Sequence, residues 1–267
     1  MTSKGTALIT GASAGIGAIY ADRLARRGYD LILVARNTER LRDVATRVSD
    51  TTGRTVDVVT ADLNDGDDLF RVETLLRENA GITMLVNNAG FGSAAPLLQA
   101  NVDTMEDMIG VNVTALTRLT YAAAPGMAER GAGAIINIAS IVAIAPEILN
   151  GVYGATKAYV LTLTQSLQHE LGDKGLRFQA VLPGATATEF WGVAGVGSHE
   201  NLPNGWVMNA EDMVDAALNG FDQGEVVTIP PLQDGEDWTA FESARRTMGS
   251  RFGHGTPGAR YGVKKAA

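Results

Sequence analysis

Short apolar runs alternate with segments of helical spacing along most of the chain. The run at 6–10 is followed by apolar positions that recur every three or four residues, and six further runs follow, at 29–36, 55–60, 83–86, 134–138, 177–182 and 225–229. Runs that are apolar throughout, rather than at every second residue, are typical of parallel strands buried on both faces. The pattern predicts an α/β protein with a doubly wound seven-stranded parallel sheet and helices on both faces.

Helices are predicted over about 40–49, 69–76, 103–130 and 152–171, and a short one from 210. Pro125 is expected to kink or end the longest of these, because it lacks an N–H group. We expect one domain over 1–267, because the sequence shows no repeat and no clean linker. The polar tail at 231–267 has little apolar periodicity, so we expect it to be loosely ordered or to make subunit contacts.

Composition excludes several classes of protein. The 267 residues include no cysteine, which rules out disulfides, thiolate nucleophiles and cysteine zinc sites. The net charge of −8 gives no general attraction to nucleic acid or to an anionic membrane. No leader precedes the first strand, and the longest apolar stretch is shorter than the ~20 residues of a membrane span. We therefore expect a cytoplasmic protein. We also expect no metal site, because the three histidines are scattered along the chain.

Polar or glycine residues follow six of the predicted strands. In an open parallel sheet the carboxyl ends of the strands meet at one edge, where ligands bind. The turn Gly11–Gly17 opens a helix there, and its N–H groups together with the helix dipole favour a phosphate. The other positions at this edge are Arg36, Asp62, Asn87–Gly90, Ser140 and Pro183–Gly184.

A second cluster contains Tyr153 and Lys157, which share a helix face because they are four residues apart. An ammonium beside a phenol favours the phenolate, so we expect Lys157 to lower the pKa of Tyr153. The hydroxyl of Ser140 is suited to hold a carbonyl oxygen. A tyrosine acid/base, a lysine that tunes it and a serine donor together suit the interconversion of a carbonyl and an alcohol.

With these residues in order, the chain resembles the classical short-chain dehydrogenase/reductase family. The resemblance covers about residues 5–190 and rests on Thr-Gly-x3-Gly-x-Gly at 10–17, Asn-Asn-Ala-Gly at 87–90, Asn112, Ser140, Tyr-x3-Lys at 153–157, and Pro183-Gly184 with a nearby threonine. It implies a single-domain Rossmann fold, with a cofactor-binding and catalytic core at 1–184 and a substrate-binding lid at 185–209. It implies hydride transfer between a nicotinamide cofactor and a small-molecule carbonyl or alcohol substrate. It also implies a homodimer or homotetramer.

The resemblance further implies a role for each motif residue. Tyr153 would donate or take the proton, Ser140 would orient the substrate oxygen, and Asn112 would hold a water that relays protons to Lys157. Lys157 would also hold the nicotinamide ribose, Asp62 the adenine edge, and Asn88 the ribose region or the central strand. Either Thr186 or Thr188 would cap the cofactor near its carboxamide. The implied cofactor-binding set is Gly11, Ser13, Gly15, Ile16, Gly17, Arg36, Asp62, Leu63, Asn88, Ala89, Gly90, Tyr153, Lys157, Pro183, Gly184, Thr186 and Thr188.

The charge at the end of the second strand predicts which cofactor binds. NAD enzymes place an acid there to accept from the ribose 2′-hydroxyl, whereas this chain has Ala35 followed by Arg36. A guanidinium suits a phosphate, so we predict NADP(H), with Ser13 and Arg36 near the 2′-phosphate. NAD(H) is the alternative, in which Arg36 is a solvated loop residue.

Two other functions fit part of the sequence. Gly11–Gly15 matches the Gly-x-Ser-x-Gly elbow of α/β-hydrolases, with Ser13 as nucleophile and His254 or His199 as base. That fold needs an earlier strand for its oxyanion hole, yet only ten residues precede this turn. The second alternative is a non-catalytic NADP(H)-binding regulator, although such proteins usually lose the tyrosine or the lysine.

Apolar residues around the predicted site indicate the substrate. The predicted substrate-binding residues are Ser140, Val142, Tyr153, Phe190 and Trp191, and the surrounding apolar residues are Phe91, Ile141, Ile144, Val193, Val196, Trp206 and Met208. A pocket of this kind favours an apolar or aromatic ketone or aldehyde.

Overall fold

The structure is a computed structural model that describes residues 4–203 and 205–263. Its strands are β1 (Thr6–Thr10), β2 (Asp30–Ala35), β3 (Val56–Thr60), β4 (Ile82–Asn87), β5 (Gly133–Ile138), β6 (Leu176–Val181) and β7 (Val227–Thr228). In this part of the chain they form one seven-stranded parallel sheet, in the order β3-β2-β1-β4-β5-β6-β7. The predicted Rossmann-type sheet is confirmed, although β7 is shorter than the predicted run at 225–229.

Helices cover both faces of the sheet, as predicted. The helices up to Pro231 are α1 (Gly15–Arg26), α2 (Thr38–Thr52), α3 (Gly66–Glu78), α4 (Val102–Ile109), α5 (Leu116–Glu129), α6 (Gly151–Leu171), α7 (Phe190–Val193) and α8 (Ala210–Gln223). A further helix, α9 (Gly235–Gly249), follows later in the chain. Successive strand residues point to opposite faces, so Ala7 and Ile9 pack with α1, α2 and α8, while Leu8 packs with α3, α5 and α6. Both faces of the sheet are therefore packed against helices and shielded from solvent, which explains why the strands are apolar throughout.

The long helical region predicted over 103–130 is divided into three pieces. A π-helical turn, Gly110–Ala115, separates α4 from α5. Pro125 does not end the helix, because α5 continues to Glu129. Loss of one backbone hydrogen bond at a proline costs about 3 kcal/mol, and burial of Ala122, Ala124 and Met127 against the sheet offsets it.

By their internal packing, the described residues form two compact units, one up to Pro231 and one from Leu232. The predicted core and lid lie in the first unit, apart from position 204, which is outside the described residues. The second unit contains α9, a helix that was not predicted in the tail, and the expectation of subunit contacts stays a prediction. Asp234 caps this helix by accepting from the Glu236 N–H. Two acidic residues in the first turn interact favourably with the positive end of the helix dipole and thereby stabilise the helix. The end of the predicted tail, 264–267, lies outside the described residues.

Candidate active site

The turn between β1 and α1 lies where the strand order reverses, next to β4. Gly11 and Gly15 have positive φ values of 65° and 52°, which allow the backbone to turn sharply. No side chain caps α1, since its N-cap is Ala14. The first N–H groups of this helix are thus available to a ligand beside the turn, as an anion requires.

Gly17 and Asn88 hold this turn against β4. A Cβ atom on Gly17 would lie 2.4 Å from the Gly11 carbonyl oxygen and 2.6 Å from Asn88 Nδ2. The Asn88 amide donates to the carbonyl oxygens of Thr10 and Gly11, at 2.9 and 3.1 Å. Thr10 Oγ1 accepts from the N–H groups of Asn88 and Ala89, a role that the sequence analysis did not assign. Of the two roles considered for Asn88, these contacts match the one at the central strand.

A cavity of about 1000 Å³ extends from the glycine turn to the start of α6. Every predicted cofactor-binding and substrate-binding residue lines it except Gly17, which supports the turn from behind. The apolar residues Ile144, Val196 and Met208 do not line it, contrary to expectation. Others that the sequence analysis missed do, namely Ile148, Leu149, Leu202 and Pro203.

Asn150 orients the helix that carries the tyrosine and the lysine. Its Oδ1 accepts from the N–H groups of Val152 and Tyr153, at 2.9 and 3.3 Å. Its Nδ2 donates to the Ala95 carbonyl oxygen at 2.6 Å, which ties the helix to the loop after β4. The signal for this residue was present in the sequence, because an asparagine directly before a helix is a preferred N-cap.

The Tyr153 side chain is buried, and the hydroxyl of Ser140 lies near its own. Burial raises the pKa of Tyr153 to about 12, and the Ser140 hydroxyl opposes that rise. Lys157 Nζ lies 5.8 Å from the centre of the Tyr153 ring and donates to the Ile138 carbonyl oxygen at 2.8 Å. Burial lowers the pKa of Lys157 to about 8. The expected fall in the pKa of Tyr153 is therefore wrong for this structure, because desolvation of the phenol dominates and Lys157 is not among the groups that lower this pKa.

Asn112 lies in the π-helical turn and not on the cavity wall. Its Oδ1 accepts from the Phe91 N–H, and its Nδ2 donates to the Phe91 carbonyl oxygen and to Thr156 Oγ1, at 3.1, 2.9 and 3.1 Å. Both amide hydrogens are thus engaged by the protein. The side chain fixes the loop after β4 against α6 beside Lys157, and the predicted water relay stays a prediction.

Charged residues border the end of the cavity at β2 and β3. Arg36 is 79% exposed and its Nη1 lies 3.8 Å from a carboxylate oxygen of Asp62. A shorter pair joins Arg40 Nη1 in α2 to Glu189 Oε2 at 2.7 Å, directly before α7. The guanidinium of Arg36 is therefore only loosely held, whereas Glu189 ties the lid to α2.

The two threonines after β6 have different surroundings. A Cβ atom placed on Gly15 would lie 3.4 Å from the Thr188 methyl carbon, so Thr188 lies beside the glycine turn. Thr186 Oγ1 donates to the Gly184 carbonyl oxygen at 3.1 Å, and the Thr186 carbonyl oxygen accepts from Trp191 Nε1 at 2.9 Å.

In the part of the chain that the structure describes, we find no side-chain cluster that could bind a metal ion and no helix that could span a membrane. No three His, Asp or Glu side chains converge there, and none of its helices is both long and apolar enough to cross a membrane.

Comparison with known proteins identifies the family. A family model described as short chain dehydrogenase matches residues 5–195. A short-chain dehydrogenase from Sphingobium yanoikuyae, solved in complex with NADPH, is 49% identical with a TM-score of 0.92, and the match covers 96% of this chain and 100% of that chain. The bulky-bulky ketone specific alcohol dehydrogenase from Comamonas testosteroni is 46% identical with a TM-score of 0.89, over 97% and 99% of the two chains.

A curated relative, the inactive hydroxysteroid dehydrogenase-like protein 1 of Homo sapiens, is 34% identical over 184 residues. The match covers 68% of this chain but only 56% of the length of that relative. The family model covers a range that runs from the first strand into the predicted lid, and this range includes Tyr153 and Lys157. The chain belongs to the short-chain dehydrogenase/reductase family.

Proposed function

We propose that this chain is an NADP(H)-dependent oxidoreductase that interconverts a carbonyl and a secondary or primary alcohol, with apolar or aromatic ketones and aldehydes as substrates. One observation carries the proposal. The hydroxyls of Ser140 and Tyr153 lie near each other on the wall of the same cavity as the uncapped start of α1. A proton donor and an anion site in one cavity are the parts that a nicotinamide-dependent reductase needs.

The residues on the cavity wall fit a dinucleotide. The N–H groups at Gly15 and Ile16, with Thr188 beside them, would hold the pyrophosphate, and Asp62 would hold the adenine edge. Lys157 has three N–H donors and uses one for the Ile138 carbonyl oxygen, so two are left for ribose hydroxyls. When bound, the nicotinamide supplies or accepts the hydride.

Tyr153 performs the proton transfer. With its pKa raised to about 12, the phenol keeps its proton at neutral pH and acts as an acid toward a developing alkoxide during reduction. Ser140 donates to the same substrate oxygen and thereby orients it. The Lys157 ammonium stabilises the phenolate left behind, and in the reverse direction that phenolate takes the proton from the alcohol.

The preference for NADP(H) rests on Arg36. Its side chain is exposed at the cavity wall, and a carboxylate oxygen of Asp62 is 3.8 Å away. The preceding residue, Ala35, cannot accept from a ribose 2′-hydroxyl. The NADPH bound in the Sphingobium yanoikuyae relative supports the same choice. NAD(H) remains the alternative cofactor.

The walls of the cavity indicate large apolar substrates. Its lining near Tyr153 includes Phe91, Val142, Phe190 and Trp191, beside the Lys157 ammonium that is proposed to hold the cofactor ribose. The Comamonas testosteroni relative is named for ketones with bulky groups on both sides, which supports the same class here. We also propose a homodimer or homotetramer, by analogy with the family.

A panel of aryl and alkyl ketones, followed by the absorbance of NADPH, tests this function. Tyr153→Phe should lower kcat by at least about 100-fold, since general acid catalysis contributes 10²–10⁴-fold. The Kd for NADPH should stay within about threefold, because the ring remains in place. Tyr159→Phe is the matched control, since Tyr159 is a partly exposed tyrosine of the same helix whose hydroxyl pairs with Thr117.

Two results would contradict the proposal. Wild-type turnover in the Tyr153→Phe variant would remove the assigned acid. NADPH binding without turnover of any carbonyl or alcohol in the panel would instead favour the non-catalytic regulator. The hydroxysteroid dehydrogenase-like relative from Homo sapiens carries the word inactive in its name.

A further inference from the structure

The Phe190 ring is held between two other aromatic rings at the substrate end of the cavity. Its centre lies 5.7 Å from that of Tyr153, with the planes tilted by 44°, and 5.3 Å from that of Trp191, with the planes at 87°. Trp191 is itself fixed, because it is buried and its Nε1 donates to the Thr186 carbonyl oxygen. The position of Phe190 is therefore set by its neighbours and not by solvent.

A third neighbour of the Phe190 ring is Gly92, whose backbone lies next to the Cζ end of the ring. A Cβ atom on Gly92 would lie 2.5 Å from Phe190 Cζ, 3.1 Å from Phe190 Cε2 and 3.1 Å from Tyr153 Cε2. The first distance is shorter than real Cβ contacts, so any side chain here would displace Phe190. The φ angle of Gly92 is not in the left-handed region, so the backbone conformation does not demand glycine. What glycine provides at this position is space.

The backbone around Gly92 is tied down on both sides. Phe91 exchanges two hydrogen bonds with the Asn112 amide, and the Ala94 N–H donates to the Ala194 carbonyl oxygen at 2.9 Å. A clash at position 92 would thus move the Phe190 ring and not the backbone. With Tyr153 and Trp191 on its other sides, the ring would shift toward the cavity that it lines.

We propose that Gly92 is a specificity-determining residue. By giving the tip of the Phe190 ring a niche outside the cavity, it keeps the space beside Tyr153 wide enough for a ketone with a large group on each side of the carbonyl. The inference rests on the proposed function, because it concerns the carbonyl compound that approaches Tyr153. The sequence analysis assigned no role to Gly92.

Binding of two ketones to the NADP⁺ complex tests this role without requiring turnover. Benzophenone carries a ring on each side of its carbonyl and acetophenone carries a ring and a methyl group. Their Kd values are measured by calorimetry for the wild type, Gly92→Ala, Phe190→Leu and the Gly92→Ala/Phe190→Leu double variant. Gly151→Ala is the matched control, since a Cβ there meets nothing within 4 Å and the residue also lies near Tyr153.

We expect Gly92→Ala to raise the Kd of benzophenone at least about tenfold and to leave that of acetophenone within about twofold, since a displaced ring removes more than one methylene of pocket space. Leucine lacks the Cζ atom, so the double variant should bind benzophenone as the Phe190→Leu variant does. If Gly92→Ala alone does not fold, recovery of folding and of benzophenone binding in the double variant supports the niche.

Equal effects on the two ketones, no effect on either, or a double variant that stays impaired would each overturn the role of Gly92. These results differ from those that would overturn the proposed function. A wild-type protein that turns over ketones but shows no size dependence at position 92 contradicts the niche alone.

Discussion

Replacing Lys157 by methionine removes a buried ammonium from the candidate active site. The side chain is 6% exposed, and burial lowers its pKa from 10.5 to about 8. Methionine has a similar length and shape but no charge, so the change removes the cost of burying a cation and little packing. We expect the Lys157→Met variant to lose the activity and to gain stability at neutral pH, as is common for residues kept for function.

The size of the gain follows from the pKa. One pKa unit corresponds to about 1.4 kcal/mol, so a fall from 10.5 to about 8 corresponds to about 3 kcal/mol of lost native stability. The variant also leaves the Ile138 carbonyl oxygen without its donor, which costs about 1–3 kcal/mol. At pH 7 the net gain should therefore be about 0–2 kcal/mol, and it is the pH dependence that isolates the buried charge.

The direction in which the free energy of unfolding changes with pH follows from the difference in bound protons between the native and the unfolded state. Below pH 8 the lysine is protonated in both states, and the native protein bears the full cost. Between pH 8 and 10.5 the native lysine has lost its proton while the unfolded chain still binds one, so the free energy of unfolding of the wild type rises with pH. Over this range the difference between the two free energies of unfolding should shift by about 3 kcal/mol in favour of the wild type, which becomes the more stable protein, whereas groups common to both proteins cancel.

Thermal unfolding at a fixed protein concentration measures this difference. For a chain of this size, about 3 kcal/mol corresponds to a change of about 6–12 °C in the difference between the two Tm values from pH 7 to pH 10.5. Lys174→Met, at an exposed lysine, serves as the control for losing a lysine elsewhere. A Tm difference between wild type and Lys157→Met that stays constant from pH 7 to pH 10.5 would refute the reasoning.

Two further substitutions test the cofactor end of the cavity. Arg36→Ala should lower kcat/KM with NADPH by about 10–100-fold and leave that with NADH within about twofold, since a charge-assisted hydrogen bond contributes 1.5–3 kcal/mol. Arg42→Ala, at an exposed arginine of α2, is its control, and equal losses with both cofactors would argue against a 2′-phosphate contact. Gly17→Ala should lower the free energy of unfolding by about 1–3 kcal/mol and weaken NADPH binding, because its Cβ would overlap the Gly11 carbonyl oxygen. Gly66→Ala, in open space at the start of α3, should leave both unchanged or slightly raise stability, and a harmless Gly17→Ala would show that the turn tolerates a side chain.

The sheet and its functional edge were predictable from the sequence for a physical reason. Parallel strands buried on both faces must be apolar throughout, and chain reversals outside them require glycine or polar residues, so both leave local signals. Gly11–Gly17 and Asn87–Gly90 were therefore placed at the correct edge. The pair Tyr153 and Lys157 was recognisable because a spacing of four residues on a helix fixes a shared face.

The features that were missed depend on contacts between distant residues or on small departures from regular helices. A π-helical turn of six residues at Gly110–Ala115 produces no apolar period that differs visibly from an α-helix. The helix at 235–249 depends on its cap and end charges rather than on an apolar face. Gly92 acquires its role from Phe190, which is 98 residues away in the chain, and the pKa of Tyr153 depends on burial that no local pattern records.

The segment from Thr186 to Ala194 borders both the proposed cofactor end and the proposed substrate end of the cavity. Thr188 borders the glycine turn, while Phe190, two residues later, packs on Tyr153 and lies over Gly92. The Trp191 indole bonds to the backbone of Thr186, and Ala194 is bonded to the loop after β4. We therefore expect that a shift of Thr188 toward a bound pyrophosphate would also move the Phe190 ring, which borders the proposed substrate pocket. Since residues in one braced unit do not act independently, substitutions that alter cofactor contacts at Thr188 should change substrate choice at Phe190 as well, and their effects should not add.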